Sequence, residues 1–367
     1  MKALIAMSGG VDSSVAAKLM QEKGYTCIGC TMRLYDGEDA GLKDRGCCSL
    51  DDVDDARSVA RGLKIPYYVF NFRDEFREKV IEKFARCYAA GITPNPCIDC
   101  NRYMKFDALG RRAKVLGCET IATGHYARVS RENGRYVLRR AADRNKDQSY
   151  VLYCLSQEQL AHAAFPLGEL SKEQVRAIAA DCGFINAKKR DSQDICFVPD
   201  GDYAGVVQHY CGPGRGKGPF TDTHGNVLGE HRGLMHYTVG QHRGLGLSYH
   251  ERLYVCRICP ESNTVVLGRE EELPAGVIDA DDFNWLSIPR PERAIRCAVK
   301  IRYRAQESPA LVIPTGENSV RIQFDTPQKA PAPGQAAVLY DGDLVLGGGT
   351  ICSQTLLDRR EDRCYNK

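Results

Sequence analysis

Two stretches of this 367-residue chain carry chemically useful residue types at useful spacing. The first is Ser8-Gly9-Gly10-Val11-Asp12-Ser13-Ser14, which follows the apolar run Ala3-Leu4-Ile5-Ala6-Met7. Such a run fills a strand buried on both faces, and Val15, Ala16 and Leu19 continue at helical spacing. Strand, glycine turn and helix start together make an anion site. The glycines let backbone amides approach a ligand, and the helix N-terminus aims unpaired N–H groups and a positive dipole end at it. Ser8, Ser13 and Ser14 would add hydroxyl donors. No Gly-Lys-Ser/Thr follows, so this is not a Walker A loop, and the spaced glycines of a dinucleotide fingerprint are missing.

The second stretch is Thr93-Pro94-Asn95-Pro96-Cys97-Ile98-Asp99-Cys100-Asn101. Two prolines stiffen an extended lead-in to a helix expected over 101–116. Cys97 and Cys100 therefore sit at a loop-to-helix junction, where i and i+3 can face one site. The helix start, with Arg102 and Lys105 nearby, is expected to lower a thiol pKa and raise the thiolate fraction. The plainer alternative is a buried thiol pair. Two other Cys-x-x-Cys spellings, Cys27/Cys30 and Cys256/Cys259, fall in strand-like runs, where i and i+3 point apart, and read as core thiols. The adjacent Cys47-Cys48 also reads as structural, and Cys196 by itself is unremarkable.

An α/β alternation must position these stretches. Strands are expected at 25–32 and 65–72, helices at 51–62 and 74–90, and a strand at 119–129 carrying Ala122-Thr123-Gly124-His125-Tyr126. The pattern implies a doubly wound parallel sheet with ligands bound at the C-terminal ends of its strands. Gly124 would let a nucleotide approach closely, while His125 receives no role. Asn133-Gly134 between alternating segments predicts a type I′ hairpin. That arm carries Arg128, Arg131, Arg135, Arg139 and Arg140, leads to Arg144 and Lys146, and is expected to face a polyanion. Ser156/Gln159 and Ser171/Gln174 are capping boxes that open two helices. Composition shifts near Pro199 to a glycine-rich linking region with one helix at 203–210. From 276 onward, short alternating segments with little helical period predict a small β-barrel. Its 293–304 strand, with Arg296, Lys300, Arg302, Tyr303 and Arg304, has the makings of an RNA-binding face.

Composition narrows the classes. Hydrophobic residues at 43% and charged residues at 26% describe a soluble globular chain. No apolar run approaches the roughly 20 residues that span a bilayer, and the N-terminus enters a predicted strand directly, so the expected place is the cytoplasm. A net charge of +3 is too small to imply a nucleic-acid partner without local clustering. Seventeen cysteines in such a chain imply buried thiols and a few active ones instead of a disulfide framework.

The loop resembles the pyrophosphate loop of the ATP pyrophosphatases, which split ATP between its α and β phosphates. The ordered set SGGVDSS (8–14), TPNPCxxCN (93–101), ATGHY (122–126), NKDQSY (145–150), DSxxICF (191–197), GLMHYTVGQHRGLG (233–246), RYR (302–304) and LGGG (346–349) resembles the tRNA-specific 2-thiouridylases nearly from end to end. The resemblance implies a pyrophosphatase domain over 1–198, a small central domain over 199–275 and a tRNA-binding β-barrel over 276–367. It implies thiolation of the wobble uridine of tRNAs for Lys, Glu and Gln, with ATP and Mg²⁺. The anticodon stem-loop would be the partner, and the sulfur would come from a cysteine desulfurase, a relay protein or sulfide. ATP would lie on Ala6, Met7, Ser8, Gly9, Gly10, Val11, Asp12 and Ser13, with Met32 and Gly124 around the adenosine. The base and anticodon would meet Asn95, Pro96, Cys97, Lys146, Asp147 and Gln148, and Arg302 and Tyr303 would hold tRNA from the barrel.

In the persulfide version of the chemistry, Cys196 carries sulfur and Cys100 releases it, leaving a Cys100–Cys196 disulfide. This chain departs from the best-known motif, Asp-x-x-Cys, by placing Cys97 where the aspartate stands, and Asp99 two residues on is not assumed to replace it. Cys97, Cys100 and Cys196 could instead hold three irons of a [4Fe–4S] cluster, and the exchange of a carboxylate for a ligand puts that version ahead. Two other readings compete. An adenylating synthetase of the argininosuccinate or NAD type explains the loop but not the thiols, hairpin and barrel. An RNA-binding module without catalysis leaves the intact loop unexplained.

Overall fold

A computed structural model describes residues 1–36, 50–189, 195–198 and 201–356. The Cys47-Cys48 pair, the expected loop beyond Asp36 and residues 190–194 before Cys196 lie outside the described residues. Of the first seven strands, β1 (Lys2–Ala6), β2 (Thr26–Arg33), β3 (Tyr67–Asn71), β4 (Thr120–Ala122) and β7 (Ala163–Ala164) pair in parallel. Their order is β3-β2-β1-β4-β7. The central strand is apolar on both faces for the expected reason. Ala3 and Ile5 pack with Met20, Val59 and Ala60 on one side, and Leu4 with Leu109 and Ile121 on the other. Neighbouring strands leave β1 in opposite directions, so the crevice opens between the ends of β1 and β4.

The long strand expected over 119–129 is broken. β4 stops at Ala122, and a separate strand, β5 (Ala127–Glu132), begins after the irregular segment 123–126. β5 pairs with β6 (Arg135–Arg140), and Asn133 and Gly134 take φ of 50° and 82°, the left-handed pair that a type I′ turn needs. Residues 218–268 hold a four-stranded sheet of β8 (Gly218–Thr221), β9 (Val227–His231), β10 (Tyr254–Cys259) and β11 (Thr264–Gly268). Six strands follow: β12 (Pro274–Asn284), β13 (Ile295–Lys300), β14 (Ser308–Pro314), β15 (Val320–Lys329), β16 (Ala336–Asp341) and β17 (Leu344–Leu356). They run in the order β12-β15-β14-β13-β16-β17, and β12–β17 pairing closes them into a barrel. β13 ends at Lys300, so Arg302, Tyr303 and Arg304 stand on the turn after the strand instead of within it. Among the described residues no helix is long and apolar enough to cross a membrane.

The three regions share one interior. Tyr150, Leu152 and Phe197 of the first region pack in the same cluster as Val206 and Met235 of the middle region and Val338, Tyr340 and Val345 of the barrel. The hairpin also reaches the barrel, where Arg139 of β6 pairs with Leu344 of β17. This contact corrects the reading of the basic arm as a polyanion surface. Arg128 bonds Asp343 at 2.7 Å, Arg144 shares that carboxylate, and Arg140 bonds Glu307 while lying 3.8 Å over the Tyr340 ring. Arg135 donates to the carbonyls of Trp285 and Leu286 at 2.7 and 2.9 Å. Arg139 turns back onto Glu132 of its own hairpin. Apart from that of Arg139, these guanidiniums are struts to the barrel.

The glycines of LGGG make the same interface close. A Cβ on Gly347 would lie 2.3 Å from the carbonyl oxygen of Asn284, and one on Gly348 would lie 2.7 Å from the Tyr153 ring. Asn284 in turn donates to the carbonyls of Tyr153 and Leu155 at 2.7 and 2.9 Å. Gly347→Ala therefore pushes against backbone that cannot yield alone. Overpacking of this kind costs about 1–3 kcal/mol, so the melting temperature should fall by roughly 1–4 °C, read by circular dichroism. An unchanged melting temperature would show that β12 yields freely.

Candidate active site

At the end of β1 the chain turns at Gly9, whose φ is +75° and whose added Cβ would lie 2.3 Å from the Asp52 carbonyl oxygen. Only glycine fits there. Gly10 caps helix α1 (Val11–Glu22) with no side-chain hydrogen bond to its leading N–H groups, which leaves them for a ligand. The hydroxyls expected to face the ligand serve the loop itself. Ser13 and Ser14 donate to the Gly10 carbonyl at 3.0 and 3.1 Å, and the Ser8 amide donates to Ser13 Oγ at 3.2 Å. Ala6, Met7 and Val11 are packed beneath, with the Met7 carbonyl accepting from Thr31 Oγ1 at 2.6 Å. Met32 lies buried near the end of β2. Gly124 sits against the helix start, where a Cβ would come within 2.7 Å of the Ser13 nitrogen. Loop and Gly124 therefore lie in contact at the head of the helix.

The thiol helix starts earlier than expected. Asn95 Oδ1 accepts from the Cys97 amide at 3.1 Å and Pro96 takes the first helical position, so helical winding runs over 96–115. Residues Cys100–Ala108 have the wider i→i+5 winding of a π-helix, a form concentrated at functional sites. Cys97 is exposed and Cys100 half-buried. Cys196 is also exposed, and its sulfur lies within electrostatic reach of both. The next residue fixes its place: Phe197, 1% exposed, is boxed by Tyr35, Phe76 and Phe84, and Tyr35 donates its hydroxyl to the Cys196 carbonyl.

Desolvation by the surrounding protein sets the state of Cys97 and Cys100. It raises the pKa of Cys97, and that of Cys100 to about 12, with the neighbouring thiols adding to the rise and Lys105 opposing it. The expected lowering is therefore outweighed, and Arg102 is directed to Asp282, which it meets at 2.5 Å. Cys100 and Cys196 are not joined in a disulfide. Among the described residues no three His, Cys, Asp or Glu side chains come together in a metal-ligating group, the three thiols included.

Three family descriptions match the chain in order. They are the tRNA methyl transferase HUP domain over residues 1–200, the tRNA methyl transferase PRC-barrel domain over 204–269, and the aminomethyltransferase beta-barrel domain over 276–351. The tRNA-specific 2-thiouridylase of Acetivibrio thermocellus is 49% identical over 354 residues, covering 95% of this chain and 99% of its own. That of Symbiobacterium thermophilum is 50% identical (95% and 92%), and that of Clostridioides difficile 47% identical (95% and 98%). The chain belongs to the tRNA-specific 2-thiouridylase family.

Other 2-thiouridylase residues named from the sequence divide into two groups. Tyr303, 38% exposed, lies within reach of Cys97, packs edge-on to Tyr150 and donates to the Asp147 carbonyl at 3.4 Å. Cys97, Asp147 and Tyr303 are thus brought to one face. Asp147 and Gln148 spend their side chains on that face's framework. Asp147 accepts from the amides of Ala141 and Ser149, and Gln148 accepts from the Tyr126 amide at 3.0 Å. Pro96 is buried, and Lys146 is half-exposed beside Asp147. Arg302 is turned away, donating to the carbonyls of Val239 and Ala330 and so joining the middle region to the barrel. Asp99 is also turned away. It is buried against Lys83 at 2.7 Å, lines a cavity of about 690 Å³ behind the thiol helix, and has its carboxyl pushed up by burial.

Sequence reading missed the groups that steady the loop. Asn186 donates to the Gly9 carbonyl and to Ser14 Oγ, both at 2.9 Å. Buried Lys172 grips both oxygens of Asp12 at 2.7 and 2.8 Å, with the Tyr126 hydroxyl at 2.8 Å. Only the capping box before Lys172 hinted that its helix begins near the site. Asn186→Ala removes two buried hydrogen bonds worth about 1 kcal/mol each, so KM for ATP should rise by up to roughly thirtyfold. A KM for ATP equal to wild type would show that the loop holds itself.

His125 lies buried between Thr123 Oγ1 at 2.7 Å and Lys105 Nζ at 3.4 Å. An ammonium only donates, so Nε2 accepts and Nδ1–H donates to Thr123. Burial, then Lys105, holds its pKa well below the ordinary 6.5, so the folded protein prefers neutral histidine. The resulting stability is complete above about pH 6.5 and declines below it, by up to roughly 1.4 kcal/mol per pH unit. His125→Gln should flatten the fall in melting temperature between about pH 6.5 and 5. An identical fall would assign the acid sensitivity elsewhere.

Proposed function

We propose that this protein is an ATP-dependent tRNA sulfurtransferase that forms 2-thiouridine at the wobble position of tRNAs for Lys, Glu and Gln. The observation that carries the reading is a phosphate-type loop against Gly124 on one side of His125 and, on the other, Lys105 within electrostatic reach of Cys97 and Cys100, which Cys196 also reaches. In this reading the 1–198 region activates the base, the 199–275 region links, and the 276–367 barrel holds tRNA, in the cytoplasm. The uracil C2 oxygen is a poor leaving group. It attacks the α-phosphorus of ATP, pyrophosphate departs, and the base carries AMP on O2. Mg²⁺, arriving with ATP, would be held by the phosphates and the loop carboxylate Asp12, and supplies charge neutralisation for the departing pyrophosphate. The wobble base reaches the crevice because anticodon-loop bases can be splayed out.

Sulfur then replaces AMP. A persulfide on Cys196, loaded by a cysteine desulfurase or a relay protein, attacks C2 through its terminal sulfur, and AMP leaves with the C–O electron pair. Cys100 attacks Cys196 Sγ, which frees the C2 sulfur and leaves a Cys100–Cys196 disulfide for a dithiol to reduce. The electrostatic reach between these two cysteines supports this route. A [4Fe–4S] cluster fed by sulfide would need Cys97, Cys100 and Cys196 as ligands. Among the described residues these side chains are not gathered into a ligand group, which does not favour the cluster route. Asp99 is occupied by Lys83 and takes no part.

The test supplies ATP, Mg²⁺ and unmodified tRNA, with either a persulfide donor plus dithiol or sulfide, and measures 2-thiouridine in the digested tRNA. Wild type should be active with the persulfide, Cys100→Ser and Cys196→Ser should lose at least about a thousandfold, and Cys97→Ser should stay within about threefold. AMP formation that ignores tRNA would favour a small-molecule synthetase. Activity with sulfide alone that tracks iron content and disappears in Cys97→Ser would restore the cluster route.

A further inference from the structure

The cations around the crevice are nearly all spoken for. Lys172 is bound to Asp12, Lys189 to Asp52 and Asp55, Lys83 to Asp99, and Arg102 to Asp282. Lys105 differs. Among the described residues it makes no ion pair with a carboxylate, and its hydrogen-bond partner is His125, which burial keeps neutral. It is half-buried, so its charge is only partly solvated and lacks a counter-ion.

Its position is equally specific. In α winding a residue five places on is rotated by about 140° from the first, onto another face. The wider winding over Cys100–Ala108 brings position i+5 back, so Lys105 shares a side with Cys100 and acts on both Cys97 and Cys100. From the other direction, His125 fixes the ammonium at 3.4 Å, and the adjacent Gly124 lies against the Ser13 amide at the head of the phosphate loop. Lys105 thus stands between the place where ATP is split and the place where sulfur arrives. An adenylated base has one group that must occupy that interval: the phosphate joining uracil O2 to adenosine.

We propose that Lys105 is a catalytic residue for sulfur transfer, its ammonium holding the phosphate of the adenylated base and of the departing AMP. The inference rests on the functional reading above. As the C2–S bond forms and the C2–O bond breaks, the electron pair passes to the phosphate, which leaves as AMP. The Lys105 ammonium pairs with the growing charge, and His125 orients it by accepting one of its hydrogens. The interaction strengthens as the bond breaks, which is what raises a rate instead of merely tightening binding.

The test is single-turnover 2-thiouridine formation by the full-length protein at saturating ATP, tRNA and persulfide donor, with melting temperature recorded in parallel. Lys105→Met should slow the step by roughly a hundredfold or more, the size expected for losing one such donor, with KM for tRNA and ATP within about threefold. Lys105→Arg, which keeps the charge, should recover at least tenfold of that loss. Three results would overturn the assignment. The first is a Lys105→Met rate within about threefold of wild type. The second is a loss confined to KM for tRNA, which would make Lys105 a backbone contact. The third is equal losses in both variants with a lowered melting temperature, which would make it a packing residue. Wild-type protein that forms no 2-thiouridine would overturn the functional reading itself, and the role of Lys105 with it.

Discussion

The central constraint is mechanical: a helix must offer thiols to a substrate while every other side of it is held. The 96–115 helix meets it with polar contacts from all around. Asn101 donates to the Val151 carbonyl at 3.0 Å, the Cys154 thiol to the Ile98 carbonyl, and Gln159 to the Arg102 carbonyl at 3.1 Å. Lys83 fixes Asp99 on the far side, and Arg102 reaches Asp282 on the barrel. Buried polar groups are costly unless paired, so each contact restricts the helix to one seat. The thiols are left as the part of the helix that is free to react.

Charge allocation follows from the same requirement. A chain of net charge +3 has no large positive field to spare, and most arginines of the hairpin are spent holding the barrel. Partly exposed ion pairs are individually weak, about 0–1 kcal/mol, so the struts work through their number and through the carbonyls they satisfy. The cations left near the thiols are fewer and better placed. Lys300 stands 5.8 Å from the ring centres of both Tyr150 and Tyr303, and Lys105 acts electrostatically on Cys97 and Cys100. Local placement, not net charge, is what an anionic substrate would meet.

The phosphate loop shows how short-range and long-range forces divide the work. Its shape is local, since a glycine with positive φ ends the strand and a bare helix start follows. Its rigidity is imported. Lys172 and Asn186 come from 160 and 177 residues away to hold Asp12 and Gly9. A loop of backbone amides stays aimed at a ligand only if such contacts keep it from collapsing on itself, and preorganisation of this kind is what electrostatic catalysis requires.

What the sequence by itself determined is what depends on neighbours along the chain. The apolar run of β1, the glycine turn, the Asn133-Gly134 hairpin and both capping boxes are encoded within a few residues and stand as read. The α/β-then-barrel order follows from periodicity in the same way. Even the early helix start at Pro96 was legible, because Asn before Pro is a cap followed by a first-turn residue. Tertiary structure alone decided the rest. It turned Asp99 and Arg302 away from the site, converted the basic arm into struts, broke the 119–129 strand and placed Lys172, Asn186 and Phe197. It also decided the thiol pKa, because burial outweighed the nearby cation. A charged side chain finds its partner across the fold, and no spacing along the chain records which partner that will be.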